Sequence, residues 1–211
     1  MKMGVISCGG SNVTSVVNAL RKVGHCSELM TEPDRKVDFI IMPGVGTYGN
    51  GTRRLAETGF SDFIRNHIKE GKPVIAICLG MQMLFESSEE DLSTPGLAIF
   101  GGHFTKLKDP PLLGLRSPPN IGYNYVEFRR HDVAGPLAEK LTYLSGYYYF
   151  LHSYALKETT ASIDIVGVSN FNDERIIPFA LHENICGMQF HPERSGPRGL
   201  KLLAQVVDIL K

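Results

Sequence analysis

The sequence carries no excess charge of either sign: 22 lysines and arginines stand against 22 aspartates and glutamates. A balanced chain has no electrostatic footprint for nucleic acid or for an anionic membrane surface, so neither partner is expected. Apolar runs near the roughly 20 residues that span a bilayer are also absent, because Arg, Lys, Asp or Gly interrupts every candidate. The opening MKMGVISCGG has a lysine but no long apolar stretch and no cleavage site, which argues against export. Cysteine is sparse. Cys8, Cys26, Cys78 and Cys186 lie far apart, without CxxC spacing or a compact disulfide framework. Free thiols in a reducing cytoplasm are therefore expected, with no metal site and no cofactor. Phosphate loops of the GxxxxGK[ST] kind, repeats, low-complexity tracts and obvious linkers are missing too. At 211 residues, 43% hydrophobic and 21% charged, the chain suits a single domain over residues 1–211.

What is present is an α/β rhythm. Gly4 to Ser7 reads as a first strand. After Asn12, the spacing of Val13, Val16, Val17, Leu20 and Val23 predicts a helix closed by Gly24. Val37 to Met42 and Pro73 to Ile77 are almost continuously apolar, as strands in the middle of a parallel sheet are. Pro43-Gly44-Val45-Gly46 reads as a turn. Phe60, Phe63, Ile64 and Ile68 fit a helix capped by Ser61 or Asp62 and ended by Gly71. Beyond Glu86 the pattern becomes strand-rich. Candidates are Ala98–Phe100, Phe104–Leu107, Tyr123–Phe128, Tyr147–Leu151, Ile163–Ser169, Ile176–Leu181 and Ile185–Phe190, and a last helix spans about 197 to 210. The expected fold is an open, mostly parallel central sheet flanked by helices, with additional antiparallel strands in the second half.

Cys78 stands where an apolar strand, IAI, gives way to a helical stretch beginning at about Leu79. A sharp strand-to-helix turn lifts its side chain above the sheet edge. Gly80 keeps bulk away from the turn, and the helix start favours a thiolate and a nearby oxyanion. A nucleophilic cysteine needs a base. Among seven histidines, His191 follows an apolar strand and is followed by Pro192-Glu193. In extended chain His191 and Glu193 point the same way, so the carboxylate can hold the imidazole in the basic tautomer. Taken alone, each feature also fits a structural role: Cys78 as a small core hydrophobe, and HPE as a cap and turn.

Taken together, CLGMQ at Cys78, PGVGTYGNG at 43–51, YFLHSY at 149–154 and QFHPERSG at 189–196 resemble the class I, triad-type glutamine amidotransferases. The similarity is greatest to the glutaminase subunits of imidazole glycerol phosphate synthase. It covers nearly the whole chain. The resemblance implies that Cys78 attacks the side-chain amide of L-glutamine, His191 moves the proton and Glu193 orients His191. It places oxyanion donors at Leu79 and in the Gly44-Val45-Gly46 turn. It assigns substrate contacts to Gln82, Ser153 and Tyr154. It further implies a (β/α)₈ barrel synthase partner, with Asn12, Tyr123 and Arg194 at the shared rim. The chain departs from the pattern at that rim. Ser7-Cys8-Gly9-Gly10-Ser11-Asn12 lacks the usual Asp-Tyr-Gly, Gly122-Tyr123-Asn124 lacks a tryptophan, and Arg194 replaces a lysine. These departures leave the ammonia acceptor open between the histidine pathway and amidation of a surface-polysaccharide sugar. A cysteine peptidase or a non-catalytic binding module on the same fold is the contrasting reading.

Overall fold

The computed structural model describes residues 1–7, 12–110, 114–130 and 141–211. Of the altered opening segment, Cys8, Gly9, Gly10 and Ser11 lie outside the described residues. The first half alternates strands and helices: β1 (Met3–Ile6), α1 (Val13–Lys22), β2 (Ser27–Met30), β3 (Phe39–Gly44), α2 (Tyr48–Glu57), α3 (Phe60–Lys69), β4 (Val74–Cys78) and α4 (Leu79–Leu84). Strands then dominate: β5 (Ser87–Ser88), β6 (Gly102–Lys106), β7 (Asn120–Arg130), β8 (Gly146–His152), β9 (Tyr154–Thr159), β10 (Ile165–Phe171), β11 (Glu174–His182) and β12 (Ile185–Met188). A single 3-10 turn (Pro192–Arg194) leads into α5 (Gly196–Leu210).

Nine strands form one sheet in the order β2-β1-β3-β4-β12-β11-β10-β7-β8. The five from β2 to β12 run parallel, and the four from β11 to β8 continue the same sheet antiparallel. Strands β5, β6 and β9 make a separate small sheet. Alternation along the central strands explains the layering. Phe39 and Ile41 of β3, with Ile75 and Ile77 of β4, face a core shared with Val16 and Leu20 of α1 and Leu203 and Val206 of α5. Ile40, Met42, Val74 and Ala76 face the other side, against Leu55 of α2, Phe60 and Ile64 of α3 and Leu84 of α4. A strand covered on both faces reads as continuously apolar, which is why β3 and β4 are legible in the sequence. No helix among the described residues is long and apolar enough to cross a membrane.

Several local expectations are corrected. Pro43 and Gly44, read as part of a turn, are the last residues of β3, because they pair with Ile77 and Cys78 of β4. The segment after Gly46, which carried no reading of its own, is helical, because Tyr48, Thr52 and Leu55 lie on one face and are buried. Helix α3 starts at Phe60, two residues before a Ser61 cap and three before an Asp62 cap would begin it; its N-cap is Gly59, at φ 76°. Ala98–Phe100 is not a strand. The N–H groups of Leu97, Ala98, Ile99 and Phe100 bond instead to the carbonyls of Met83, Phe85 and Leu84, at the end of α4. A short helix has carbonyls without intrahelical partners, and this loop serves them.

Candidate active site

Cys78 is the last residue of β4 and Leu79 the first of α4. Its backbone lies at φ 57°, ψ −113°, a conformation that costs on the order of 1–3 kcal/mol for a residue with a side chain. Gly80 makes the bend possible, since a Cβ there would lie 1.9 Å from the carbonyl oxygen of Met42 on neighbouring β3. Cys78 is 6% exposed. The Gln189 amide nitrogen lies 3.7 Å from its sulfur, and the carbonyl of Leu151 lies 3.8 Å from it. Gln82 reaches the other end of the same amide, donating from Nε2 to Gln189 Oε1 at 3.2 Å. Cys186 is a useful contrast: it sits within β12, and burial pushes its thiol well above the usual range.

β12 pairs parallel with β4, Met188 beside Ile77, so the chain beyond β12 emerges at the same sheet edge as Cys78. His191 is fixed there by its N–H bond to the carbonyl of Tyr149, 2.8 Å, and by Ser195 Oγ, which donates to the carbonyl of His191 at 2.6 Å. His191 Nδ1 lies 2.7 Å from Glu193 Oε1. An ionised carboxylate only accepts, so Nδ1 carries the proton, and Nε2 is buried without a hydrogen-bond partner, free to take up a proton. Both side chains are almost fully buried. The Asn12 amide donates to Glu193 Oε1 and lies 3.2 Å from His191 Nδ1. This explains why Asn12, the N-cap of α1, makes no capping bond of its own: its side chain is held by the histidine–glutamate pair. Burial opposes a charged imidazole, but the Cys78 sulfur and the Glu193 carboxylate outweigh it and raise the His191 pKa to about 10. An imidazolium so placed favours thiolate at the sulfur.

The cluster opens into a cavity of about 240 Å³ whose walls include Val45, Gly46, Leu79, Gln82, Ser153 and Tyr154 together with Cys78 and His191. Gly44 lies at the end of β3, directly paired with Cys78, and Gly46 adopts φ 112°. Among the described residues lining the cavity, Glu90 is the one carboxylate, and no sequence motif points to it. A larger cleft of about 540 Å³, lined by Arg35, Phe63, His67 and Lys72, has neither cysteine nor serine among its described residues and lies by the opposite end of β4. Beside the site, Tyr123 donates its hydroxyl to the carbonyl of Arg194 at 3.0 Å, and the Arg194 guanidinium stacks over Tyr149, 4.4 Å from the ring centre. Tyr149, Gln189 and Glu90 are additions made by the structure. Gln189 and Tyr149 lie inside the recognised motifs but carry no individual signal there.

The family model for glutamine amidotransferase class I matches residues 4–209. The chain belongs to the class I glutamine amidotransferases. It is 34% identical to the imidazole glycerol phosphate synthase subunit HisH of Thermotoga maritima, over 99% of this chain and 97% of that one. The HisH subunit of Methanopyrus kandleri is 36% identical over 98% of each chain. A longer fungal protein, imidazole glycerol phosphate synthase hisHF of Emericella nidulans, is 36% identical over 93% of this chain but 36% of its own length. Among solved structures, a crystal structure of a glutamine amidotransferase superposes with TM-score 0.73 at 15% identity, covering 99% of this chain and 98% of that one. At that identity the likeness speaks for the fold.

For this glutamine amidotransferase the raised His191 pKa has a direct check. With Cys78→Ala or Glu193→Gln, one of the two groups favouring the imidazolium is gone, and the His191 imidazole should titrate at lower pH than in the wild type. Imidazole resonances followed by NMR across pH measure this. An unchanged titration in both variants would remove the argument that the three side chains are electrically coupled.

Proposed function

We propose that the chain is the glutaminase subunit of an imidazole glycerol phosphate synthase, and that Cys78, His191 and Glu193 perform its chemistry. The observation that carries this reading is a thiol on a strained strand-to-helix elbow, opening on a cavity, with a buried imidazole–carboxylate pair beside it. L-glutamine would enter with its side-chain amide at the sulfur. Thiolate Cys78 attacks the amide carbon, and the developing oxyanion meets the N–H of Leu79 and a second donor from the Val45–Gly46 turn. His191 then gives its proton to the departing ammonia, leaving a Cys78 thioester. Water, deprotonated by His191, cleaves the thioester and releases glutamate. Glu193 and Asn12 hold the ring in place through both steps. The Glu90 carboxylate suits the ammonium of glutamine, while Gln82, Ser153 and Tyr154 line the remaining wall.

The ammonia needs an acceptor, and the names of the Thermotoga and Methanopyrus relatives call them subunits. A partner-sized surface lies next to the site. Ile121, Tyr123 and Tyr125 of β7 face outward opposite Leu151, Tyr149 and Tyr147 of β8, and five of these six are more than one-third exposed. Exposed aromatics of this kind are the usual anchors of interfaces. We assign this face, with Arg194 at its edge, to a (β/α)₈ barrel synthase partner.

Glutamate release is the test. The isolated chain is expected to hydrolyse glutamine slowly, and the cognate barrel with its acceptor ligand should raise the rate by at least roughly tenfold, one oxyanion donor commanding up to about 10²–10³. Equal rates with and without partner would sink the coupling. Peptide cleavage with no turnover of free glutamine would replace the glutaminase by a peptidase.

A further inference from the structure

A line of side chains runs from the surface to the cavity wall. The Arg116 guanidinium donates from Nη2 to Asn124 Oδ1 at 2.7 Å. Asn124 Nδ2 donates to Asn120 Oδ1 at 2.6 Å. Asn120 Nδ2 lies 3.0 Å from His152 Nε2, and His152 Nδ1 lies 2.9 Å from the carbonyl oxygen of Tyr154. Asn120, Asn124 and His152 are buried, whereas Arg116 lies on the surface. Only one polarity satisfies all four contacts. Arginine can only donate and a carbonyl can only accept, so both amides and the imidazole tautomer are determined from the two ends. Each amide accepts from the surface side and donates toward the cavity, and His152 is protonated on Nδ1.

We infer that Arg116, Asn124 and Asn120 are positioning residues that hold His152, and through it the Leu151–Tyr154 wall of the glutamine cavity. The inference rests on that cavity being the glutamine site. His152 ends β8, paired with β7 of the large sheet, and Tyr154 begins β9, paired with β6 of the small one. Ser153 is therefore the corner between two sheets, and the chain there lacks a single ladder to fix it. Two carbonyls at the corner are held: that of Ser153 by the N–H of Leu107 at 2.8 Å, and that of Tyr154 by His152. Holding the carbonyls sets the planes of the peptides that face the substrate. The far end is anchored as well. Arg116 exchanges two bonds with Asn172, in the turn between β10 and β11, and its guanidinium lies 5.2 Å from the ring centre of Phe171. Burial, together with the charge on His191, brings the His152 pKa down to about 4 despite the bond to Tyr154. Its Nε2 is then free to accept from Asn120 at neutral pH.

Three variants and three readouts test the relay. Arg116→Ala removes its surface end without opening the core. Glutamine KM should rise roughly three- to tenfold, the size of one lost hydrogen bond, with kcat within about twofold, because the cavity wall binds substrate and transition state alike. Arg116→Lys keeps a donor and should recover most of the KM. Asn120→Asp still accepts from Asn124 but presents an acceptor to His152 Nε2, so both His152 nitrogens should carry protons at neutral pH. Imidazole nitrogen spectra show this directly. The inference is overturned by an unchanged KM in Arg116→Ala, by wild-type His152 protonated on Nε2, or by kcat and KM changing only in step with lost thermal stability. Wild-type turnover that Cys78→Ala abolishes establishes the cavity reading separately, so the two can fail independently.

Discussion

Replacing Cys78 by alanine is expected to abolish glutamine-dependent turnover, by on the order of 10⁴-fold or more, while the partner's reaction with added ammonia continues. On the proposed mechanism, removing the nucleophile leaves the cavity, Glu90 and the proposed oxyanion donors in place, so glutamine should still bind and only the covalent route should be lost. The substitution is small, and the elbow is held by Gly80 and the pairing of β4 with β3 and β12 rather than by the thiol. Alanine at φ 57° is no worse placed than cysteine. Stability should therefore be close to wild type, and the ammonia-driven rate reports an intact complex. Measuring glutamate release and ammonia-dependent product formation on one preparation separates the two effects. Wild-type glutamine consumption by the variant would mean that the nucleophile lies elsewhere.

The second large effect comes from a residue with no reactive group. Gly80→Ala would place a Cβ 1.9 Å from the Met42 carbonyl oxygen and 3.1 Å from its carbon. These are backbone atoms of β3, fixed by Met42 pairing with Ala76 on β4, so no flexible side chain can yield. Either β3 or the elbow must shift. Overpacking of this kind costs about 1–3 kcal/mol and occasionally more. For a chain of this length that is a fall in Tm of roughly 2–4 °C per kcal/mol. A shifted elbow also moves the N–H of Leu79, the proposed oxyanion donor, and misplacing one such donor lowers the rate by roughly 10²–10³. Calorimetry and glutaminase kinetics should thus fall together. Gly71 is the control: at φ 73°, a Cβ added there meets nothing within 4 Å, so alanine brings strain but no collision. A Gly80→Ala protein with wild-type Tm and rate would show that the elbow tolerates a methyl group.

What the sequence revealed depended on whether the burial pattern was local. Strands β3, β4 and β12 are covered on both faces, and the unbroken apolar runs at VDFIIM, PVIAI and ICGM announce them. The strand-to-helix change at Cys78 is legible for the same reason, but a cysteine there fits a core position as well, and only CLGMQ taken together with PGVG, YFLHSY and HPE points to a nucleophile. Helix α2 is hidden because Gly49 and Gly51 weaken its local signal, and its formation depends on burying Tyr48 and Leu55 against distant residues. The apolar Ala98–Phe100 imitates a strand while serving the carbonyls of α4. Contacts across long separations are beyond local reading altogether. Asn12 meets His191 and Glu193 some 180 residues away, and nothing about an N-cap asparagine distinguishes one that binds its own helix from one that binds a distant imidazole–carboxylate pair.

The position of β12 bears on how the chain comes off the ribosome. It follows every other strand of the sheet in sequence, yet it lies between β4 and β11, at the middle of that sheet. Until it is made, β4 and β11 each present an unpaired edge, and the Cys78 sulfur has no imidazole beside it. Closing the gap joins residues more than 100 positions apart, the kind of long-range pairing that slows folding. On the mechanism proposed above, the Cys78 thiol of the nascent chain lacks its base while the rest of the sheet is synthesised. On that mechanism glutamine hydrolysis has to wait until β12 inserts and brings His191 with it, so completion of the sheet and completion of the proposed site are one event.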